Sequence, residues 1–175
     1  PRWLSDRGLM LGAEFRYLGP RDARGTIDGN WLPDDDIAGI DRGRLRWRHD
    51  DQLTRNWSFR ARLNHVSDEL YFRDFGNSIT DTTITQIRST AGLYGQGQYW
   101  DAELLVERWQ VASPIVNEAS LPYRRLPGAS LRWQRPFARW LEVGVDAGAA
   151  RFEGEDRGGG NRIDLQPYVQ MPFGG

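Results

Sequence analysis

The sequence contains no cysteine, only two histidines and no run of eighteen or more apolar residues. The lack of cysteine excludes a disulfide framework and a thiolate metal site within this chain. Without a long apolar run, the chain offers no transmembrane helix. Lysine and arginine together number 23 against 24 aspartates and glutamates, so the formal net charge is −1. There is no basic excess, and we expect no nucleic-acid partner.

The N-terminal residues 1–5 do not combine a basic region with an apolar stretch, so we expect no signal peptide in this chain. The mean hydropathy of −0.66 is low for a globular domain, but it does not exclude a transmembrane barrel, whose inner face is polar. The eight tryptophans suit an interfacial aromatic girdle and also a sugar-binding sandwich.

Residues 57–65 alternate between apolar and polar side chains. Trp57, Phe59, Ala61 and Leu63 fall on one face, and the serine, arginines and asparagine between them fall on the other. Successive side chains of a β-strand point to opposite faces, so this segment is predicted to be a strand with one apolar side. The medium on that side is either a protein core or lipid.

Similar alternation elsewhere predicts about nine strands, at residues 9–18, 26–32, 43–52, 57–65, 85–95, 98–110, 128–135, 140–152 and 162–172. Tight turns alternate with longer connections at residues 33–42, 67–84, 111–127 and 153–161. In an up-and-down meander, this order puts every long loop at one end, as in outer-membrane barrels. We therefore predict an all-β, antiparallel, up-and-down transmembrane β-barrel segment that is open or incomplete on its own.

Charged residues form rows on the predicted polar faces: Arg44, Arg46, Arg48, Arg60 and Arg62 on two strands, and Glu103, Glu142 and Asp146 on two later ones. A protein core would not accept such rows, whereas the aqueous lumen of a barrel would. The alternative is a soluble β-sandwich or small barrel that binds carbohydrate or lipid, with these rows on its outer surface.

The sequence predicts no metal site and no cofactor. His49 and His65 both fall on apolar strand faces, without the spacing of metal ligands. The acidic run Asp34–Asp36, with Asp41, would suit a divalent cation or form a solvated acidic loop.

The sequence predicts no catalytic residue, so we do not expect an enzyme. Ser67 and Asp68 lie close to His65, but no orienting group or oxyanion donor accompanies them. The glycines at 158–160 precede no helix and are interpreted as a loop tip rather than a phosphate-binding loop.

Several segments, in this order, resemble one family: Gly8-Leu-Met-Leu-Gly12, Glu14-Phe-Arg-Tyr-Leu18, Leu32-Pro-Asp-Asp35, Asn64-His-Val-Ser-Asp68, Tyr71-Phe-Arg-Asp-Phe-Gly76, Pro122-Tyr-Arg-Arg-Leu-Pro127, Arg162-Ile-Asp-Leu-Gln-Pro167 and Met171-Pro-Phe173. They are similar to the barrel domain of the LptD family, the lipopolysaccharide-assembly proteins of the Gram-negative cell outer membrane, also called organic solvent tolerance proteins. The similarity runs along essentially the whole chain.

The resemblance implies that residues 1–175 are part of the N-terminal half of an outer-membrane β-barrel domain, with the jelly-roll domain and the remaining strands absent. It implies assembly of lipopolysaccharide into the outer leaflet, outer-membrane lipid around the barrel, and an LptE-type plug lipoprotein inside it. It also implies that lipopolysaccharide arrives along an LptA-type periplasmic bridge, through the absent jelly-roll, and leaves through a seam between the first and last strands.

In such a barrel, the arginine row on residues 44–62 would face the lumen. Arginine pairs well with carboxylates and with phosphates. The row would therefore either form ion pairs with Glu103, Glu142 or Asp146, or guide an anionic glycolipid headgroup.

Overall fold

The computed structural model describes residues 1–76, 81, 83–117, 121–154 and 158–171. In these residues it contains a 3-10 turn at Pro20–Asp22, a short helix α1 at Tyr71–Phe75, and ten strands. The strands are β1 Arg2–Leu4, β2 Gly8–Leu18, β3 Arg24–Leu32, β4 Arg42–Gln52, β5 Trp57–Val66, β6 Gln86–Gln96, β7 Trp100–Val111, β8 Arg124–Ala138, β9 Leu141–Glu153 and β10 Gly160–Gln170. No helix of the described chain is long and apolar enough to cross a membrane.

Each strand pairs antiparallel with its neighbour in sequence, and together they form one sheet of order β1 to β10. β1 and β10 are the two edges, so the sheet is open. This confirms the predicted antiparallel meander that does not close on its own. Within the described residues, the strands form a single sheet, so the alternative of a two-sheet sandwich is wrong.

Nine of the ten strands correspond to the predicted ones, and β1 is the addition. Three residues are too few to show an alternating pattern, so β1 is recognisable only from its pairing with β2, where Arg2 lies opposite Met10. The connection between them, residues 5–7, is short but lies at the end of the sheet that carries the long loops. The predicted end of the last strand at residue 172, and the motif residues 172–173, lie outside the described residues.

β8 begins at Arg124, four residues earlier than predicted, so its preceding connection shortens to residues 112–123. The pairing of β8 with β9 shifts register between Arg125 and Gly128. A bulge places an extra residue in one strand and interrupts the two-residue alternation. This irregularity explains why the sequence pattern starts only at residue 128.

The sheet has two distinct faces, because the register aligns apolar residues with apolar residues. Trp47 lies opposite Leu63, and Leu93 lies opposite Leu104. We call this side the apolar face and the other side the polar face. Side chains on the apolar face remain open, with Phe15 62% and Leu165 68% exposed. The described chain therefore does not supply a core for this face, as expected for a sheet that contacts lipid.

Apart from the short β1–β2 turn, the connections are sorted by length at the two ends of the sheet. Residues 19–23, 53–56, 97–99 and 139–140 form the short-turn end, and residues 33–41, 67–85, 112–123 and 154–159 form the long-loop end. In outer-membrane barrels, short turns are periplasmic and long loops are extracellular.

A hydrogen-bonded aromatic group lies on the apolar face near the short-turn end. The Tyr17 hydroxyl lies 2.8 Å from His49 Nδ1 and accepts a hydrogen bond from Trp47 Nε1 at 2.9 Å. The Tyr17 ring lies over Gly25 on the neighbouring strand, where a Cβ atom would come within 2.2 Å of it. His49 Nδ1 and Trp47 Nε1 thus share the Tyr17 hydroxyl as a hydrogen-bond partner on an otherwise apolar surface.

Candidate functional site

Residues 33–41 and 67–76, which include α1, fold over the polar face at the long-loop end, and we call them the loop cap. Tyr71 and Phe72 of α1 pack against Val66 and Ala112 in a buried cluster. Four apolar side chains occupy polar-face positions at this end and are buried: Met10, Leu32, Val66 and Val111. These residues interrupt the alternation of their strands. Their burial removes apolar area from water and so stabilises the cap.

Arg42, the first residue of β4, lies at the centre of the cap with 2% of its side chain exposed. Its Nε and Nη2 atoms donate to the two carboxylate oxygens of Asp68 at 2.9 and 2.6 Å. Its Nη1 atom donates to Asp74 at 2.7 Å and to Asp35 at 3.2 Å. The planar guanidinium thus joins β4 to both segments of the cap. It makes a bidentate pair with Asp68 and single hydrogen bonds with Asp35 and Asp74.

A second arginine completes this buried charge cluster from the β1–β2 turn. Arg7 donates to Asp35 at 2.7 Å and to Asp74 at 3.3 Å. The guanidinium carbons of Arg7 and Arg42 lie 5.3 and 4.7 Å from the ring centre of Phe75. Two cations, three carboxylates and one aromatic ring therefore hold four chain segments together: the β1–β2 turn, the start of β4 and the two segments of the loop cap.

The environment of the cluster favours the ionised carboxylates. Burial by itself would raise the pKa of Asp35, but the amide of Ile37 and the two guanidinium groups hold that pKa below its ordinary value of 3.8. The pKa of Asp68 and that of Asp74 are also lowered: burial opposes the shift, and the hydrogen bonds from Arg42 outweigh it. All three side chains are consequently charged at neutral pH.

We expect the loop cap to loosen in acid. A carboxylate whose pKa is lowered by folding contributes stability above its unfolded pKa, and the contribution is lost as the pH falls through the folded pKa. Between pH 7 and about 5 the cap should be unchanged, and below about pH 4 it should become progressively less stable as the pH falls toward the lowered pKa values of the three carboxyl groups. Hydrogen exchange of the Asp74 and Gly76 amides in the full-length protein, corrected for intrinsic rate, measures this. Equal protection at pH 7 and pH 3, with the β6–β7 ladder as internal reference, would contradict it.

The predicted arginine row lies on the polar face of β4 and β5, next to carboxylates of neighbouring strands. Arg46 donates to Asp28 on β3 at 2.8 Å, and Asp28 lies 4.0 Å from both Arg44 and Arg48. Three arginines therefore surround one carboxylate.

Three further members of the predicted rows, Arg60, Arg62 and Asp146, also have local partners. Arg62 contacts Asp50 at 2.5 Å, Arg60 lies 5.0 Å from the ring centre of Tyr94, and Asp146 accepts from Arg132 at 2.7 Å. In the described residues, the structure does not bring the arginine row to Glu103, Glu142 or Asp146. Its carboxylate contacts are instead made by Asp28 and Asp50 on the adjacent strands.

The residues considered for metal binding have other roles. Asp35 is fully buried among arginines, so the acidic loop is not simply solvated, while the amide of Asp34 donates to Asp41 at 2.9 Å. His65 is exposed on the apolar face, whereas His49 belongs to the aromatic group described above. No cluster of three or more metal-binding side chains is found in the described chain.

Ser67 and Asp68 belong to the loop cap. The Ser67 hydroxyl donates to Asp68 at 2.6 Å and accepts from the Gly43 amide at 3.0 Å. Asp68 is held by Arg42, and its two oxygens orient that guanidinium rather than a histidine. These hydrogen bonds of Ser67 and Asp68 fix the position of the second segment of the loop cap.

The sequence interpretation missed Arg7, Arg42 and Asp74, and it gave Asp35 and Asp68 other roles. One signal was available: Leu32 and Val66 are apolar residues in polar register at the long-loop end. Apolar side chains on the polar face must be shielded from water, and at this end the long loops are the segments near enough to shield them.

The sequence is similar to sequences of a known protein family. A family model described as "LptD: LPS transport system D" matches residues 40–175. The LPS-assembly protein LptD of Xanthomonas campestris pv. campestris (strain 8004) is 37% identical over 205 residues, covering 100% of this chain and 25% of that protein. The same-named protein of Xanthomonas oryzae pv. oryzae (strain MAFF 311018) is 36% identical over 209 residues, covering 100% of this chain and 26% of that protein.

More distant relatives agree with these two. The LPS-assembly protein LptD of Xylella fastidiosa (strain Temecula1) is 32% identical over 202 residues, again with 100% of this chain and 25% of that protein covered. The chain thus spans about a quarter of the length of the relatives it matches. The family model covers well over half of the chain, and its match agrees with an open antiparallel meander of one apolar and one polar face. The chain belongs to the LptD family.

Proposed function

We propose that this chain forms part of the wall of a barrel that assembles lipopolysaccharide into the outer leaflet of the outer membrane. LptD is an outer-membrane protein and a transporter without enzymatic activity. The observation that carries the proposal is the two-faced open sheet, in a chain belonging to that family. The apolar face meets outer-membrane lipid, and the polar face meets the aqueous lumen.

The dimensions of the sheet support a wide barrel. A cavity of ≈ 1110 Å³ is lined by polar-face residues of six successive strands, β5 to β10: Ser58, Tyr94, Glu103, Ser130, Asp146 and Asp164. The sheet therefore curves around an open, polar space that its own side chains do not fill. A barrel with further strands would enclose a lumen large enough for a second protein.

This unfilled lumen is the basis for the proposed partners. An LptE-type plug lipoprotein would occupy it, and an LptA-type bridge would deliver lipopolysaccharide through a jelly-roll domain outside residues 1–175. In this proposal the ten strands belong to the N-terminal half of the barrel domain. Their contribution is a rigid wall, with long loops outward and short turns toward the periplasm.

Conditional depletion of the full-length protein in its host tests the function. Newly made lipopolysaccharide should fail to reach the cell surface, so its surface labelling should fall steeply. Re-expression of the full-length protein should restore labelling, and the assembly of an unrelated outer-membrane barrel serves as control. Unchanged surface lipopolysaccharide after depletion would refute the proposed function.

A further inference from the structure

The polar face is divided into two regions of opposite charge. We call the polar face of β2–β5 the basic wall, and that of β7–β10 the acidic wall. Apart from Arg42 of the loop cap, the basic wall carries seven arginines and three carboxylates: Arg16, Arg24, Arg44, Arg46, Arg48, Arg60, Arg62, Glu14, Asp28 and Asp50. The acidic wall carries six carboxylates and three arginines: Asp101, Glu103, Glu107, Glu142, Asp146, Asp164, Arg125, Arg132 and Arg162.

The excess positive charge is concentrated on β4. Arg44, Arg46 and Arg48 occupy alternate positions, and Asp28 is the one carboxylate within 4.0 Å of them among the described residues. The Nε atom of Arg44 is buried and has no hydrogen-bond partner in the described chain. Among the described residues, three guanidinium groups thus share one carboxylate, and the row has more donors than that carboxylate can accept.

The row also has a direction. Alternate residues on a strand are about 7 Å apart, so the three guanidinium groups form a line along the strand. Side-chain exposure rises along that line from 20% at Arg44 through 37% at Arg46 to 57% at Arg48, toward the short-turn end. Arg46 and Arg48 border a cavity of ≈ 740 Å³, together with Arg16 and Arg24.

We propose that the basic wall is the path along which the phosphate and carboxylate groups of the lipopolysaccharide head are bound during passage, while the acidic wall repels them. This inference rests on the proposed function and assigns it to one side of the lumen. Guanidinium groups bind phosphate and carboxylate by paired hydrogen bonds, which suits successive hand-over between equally spaced arginines.

The alternative occupant of the basic wall is an acidic surface of a protein plug. The row is graded in exposure, with its most open member at the short-turn end, which the proposed function places toward the periplasm. A ligand delivered from the periplasm would meet this open end first, and we therefore assign the basic wall to the lipopolysaccharide head.

Photo-crosslinking in cells tests the path. In the full-length protein, a benzophenone amino acid replaces either Thr26, on the basic wall, or Ser130, on the acidic wall. Both positions border polar-face cavities. We expect lipopolysaccharide adducts at Thr26 to exceed those at Ser130 by about fivefold, because opposite-charge contacts raise local occupancy. Equal adducts, or more at Ser130, would overturn the proposal, as would adducts at Thr26 to a protein only.

A pair of double variants isolates the arginines. Arg44→Gln with Arg48→Gln should lower the Thr26 adducts by about threefold or more, because charge-assisted contacts are lost. Arg132→Gln with Arg162→Gln removes the same charge from the acidic wall and should leave these adducts unchanged. If the Arg44→Gln, Arg48→Gln variant does not assemble, the comparison of Thr26 adducts with Ser130 adducts in the protein that keeps all its arginines still tests the proposal. The two proposals can fail separately. If depletion abolishes surface lipopolysaccharide but the adducts show no preference for Thr26, the proposed function stands and the basic-wall path is refuted.

Discussion

Replacing Arg42 with methionine should destabilise the loop cap by about 3–5 kcal/mol, because removal of one partner from a buried ion pair leaves the other charge uncompensated. Three carboxylates converge on this guanidinium, and Arg7 contacts two of them but not Asp68. The Asp68 carboxylate would therefore retain its Ser67 and Leu70 donors and lose its cation. The cap should open locally while the strands below remain paired.

Trypsin cleavage after Arg73 measures this opening, because Arg73 lies in α1 and its side chain is 65% exposed. Cleavage follows the population of the open form when opening is fast. A loss of about 3 kcal/mol would raise the cleavage rate in the full-length protein roughly a hundredfold. Arg42→Lys keeps the charge but loses the planar fork, so its rate should be intermediate.

Arg16→Met is the matched control, because it removes an arginine from an exposed pair with Glu14 on the same face. Exposed pairs contribute about 0–1 kcal/mol, so cleavage after Arg73 should stay near the wild-type rate. If Arg42→Met and Arg16→Met gave the same rate, the buried cluster would not be what holds the cap.

The strands were predictable because alternation is a local property. In β5, residues 57–65 alternate without interruption, and shorter alternating stretches mark the other strands from β2 to β7. The alternation did not predict β1 or the start of β8, for physical reasons. β1 is only three residues long, and the start of β8 contains a bulge that breaks the period of two. Both features depend on pairing with a neighbouring strand.

The loop cap was not predictable in the same way. The ion pairs that Arg7 and Arg42 make with the three aspartates join residues 7 to 67 positions apart, and all but one of them span 26 positions or more. No local pattern records which aspartate meets which arginine. The same limit applies to the arginine row: the side chains were identified and their face was predicted, but Asp28 as the shared neighbour of three arginines follows only from the register of β3 and β4.

Replacing Leu104 with arginine should reduce the stability of the assembled barrel by about 2–4 kcal/mol, the cost of a cation on the lipid face near the bilayer midplane. Leu104 lies in the interior of β7, 43% exposed on the apolar face, opposite Leu93 and Ala129. An arginine there has no carboxylate on the adjoining strands at its own level. The fraction of full-length protein that resists unfolding in SDS should fall steeply.

The adjacent residue provides the control, since Glu103→Arg places the same side chain on the same strand but on the polar face. Glu103 lies opposite Tyr94 and Ser130, in the space that water would fill, so this arginine stays solvated. Folded protein should remain near the wild-type level for Glu103→Arg. Equal losses from both variants would mean that the two faces do not meet different media. A loss from Glu103→Arg alone would mean that the sheet is turned the other way, with its polar face against a packed partner. Only a loss confined to Leu104→Arg fits a wall with lipid on one side and water on the other.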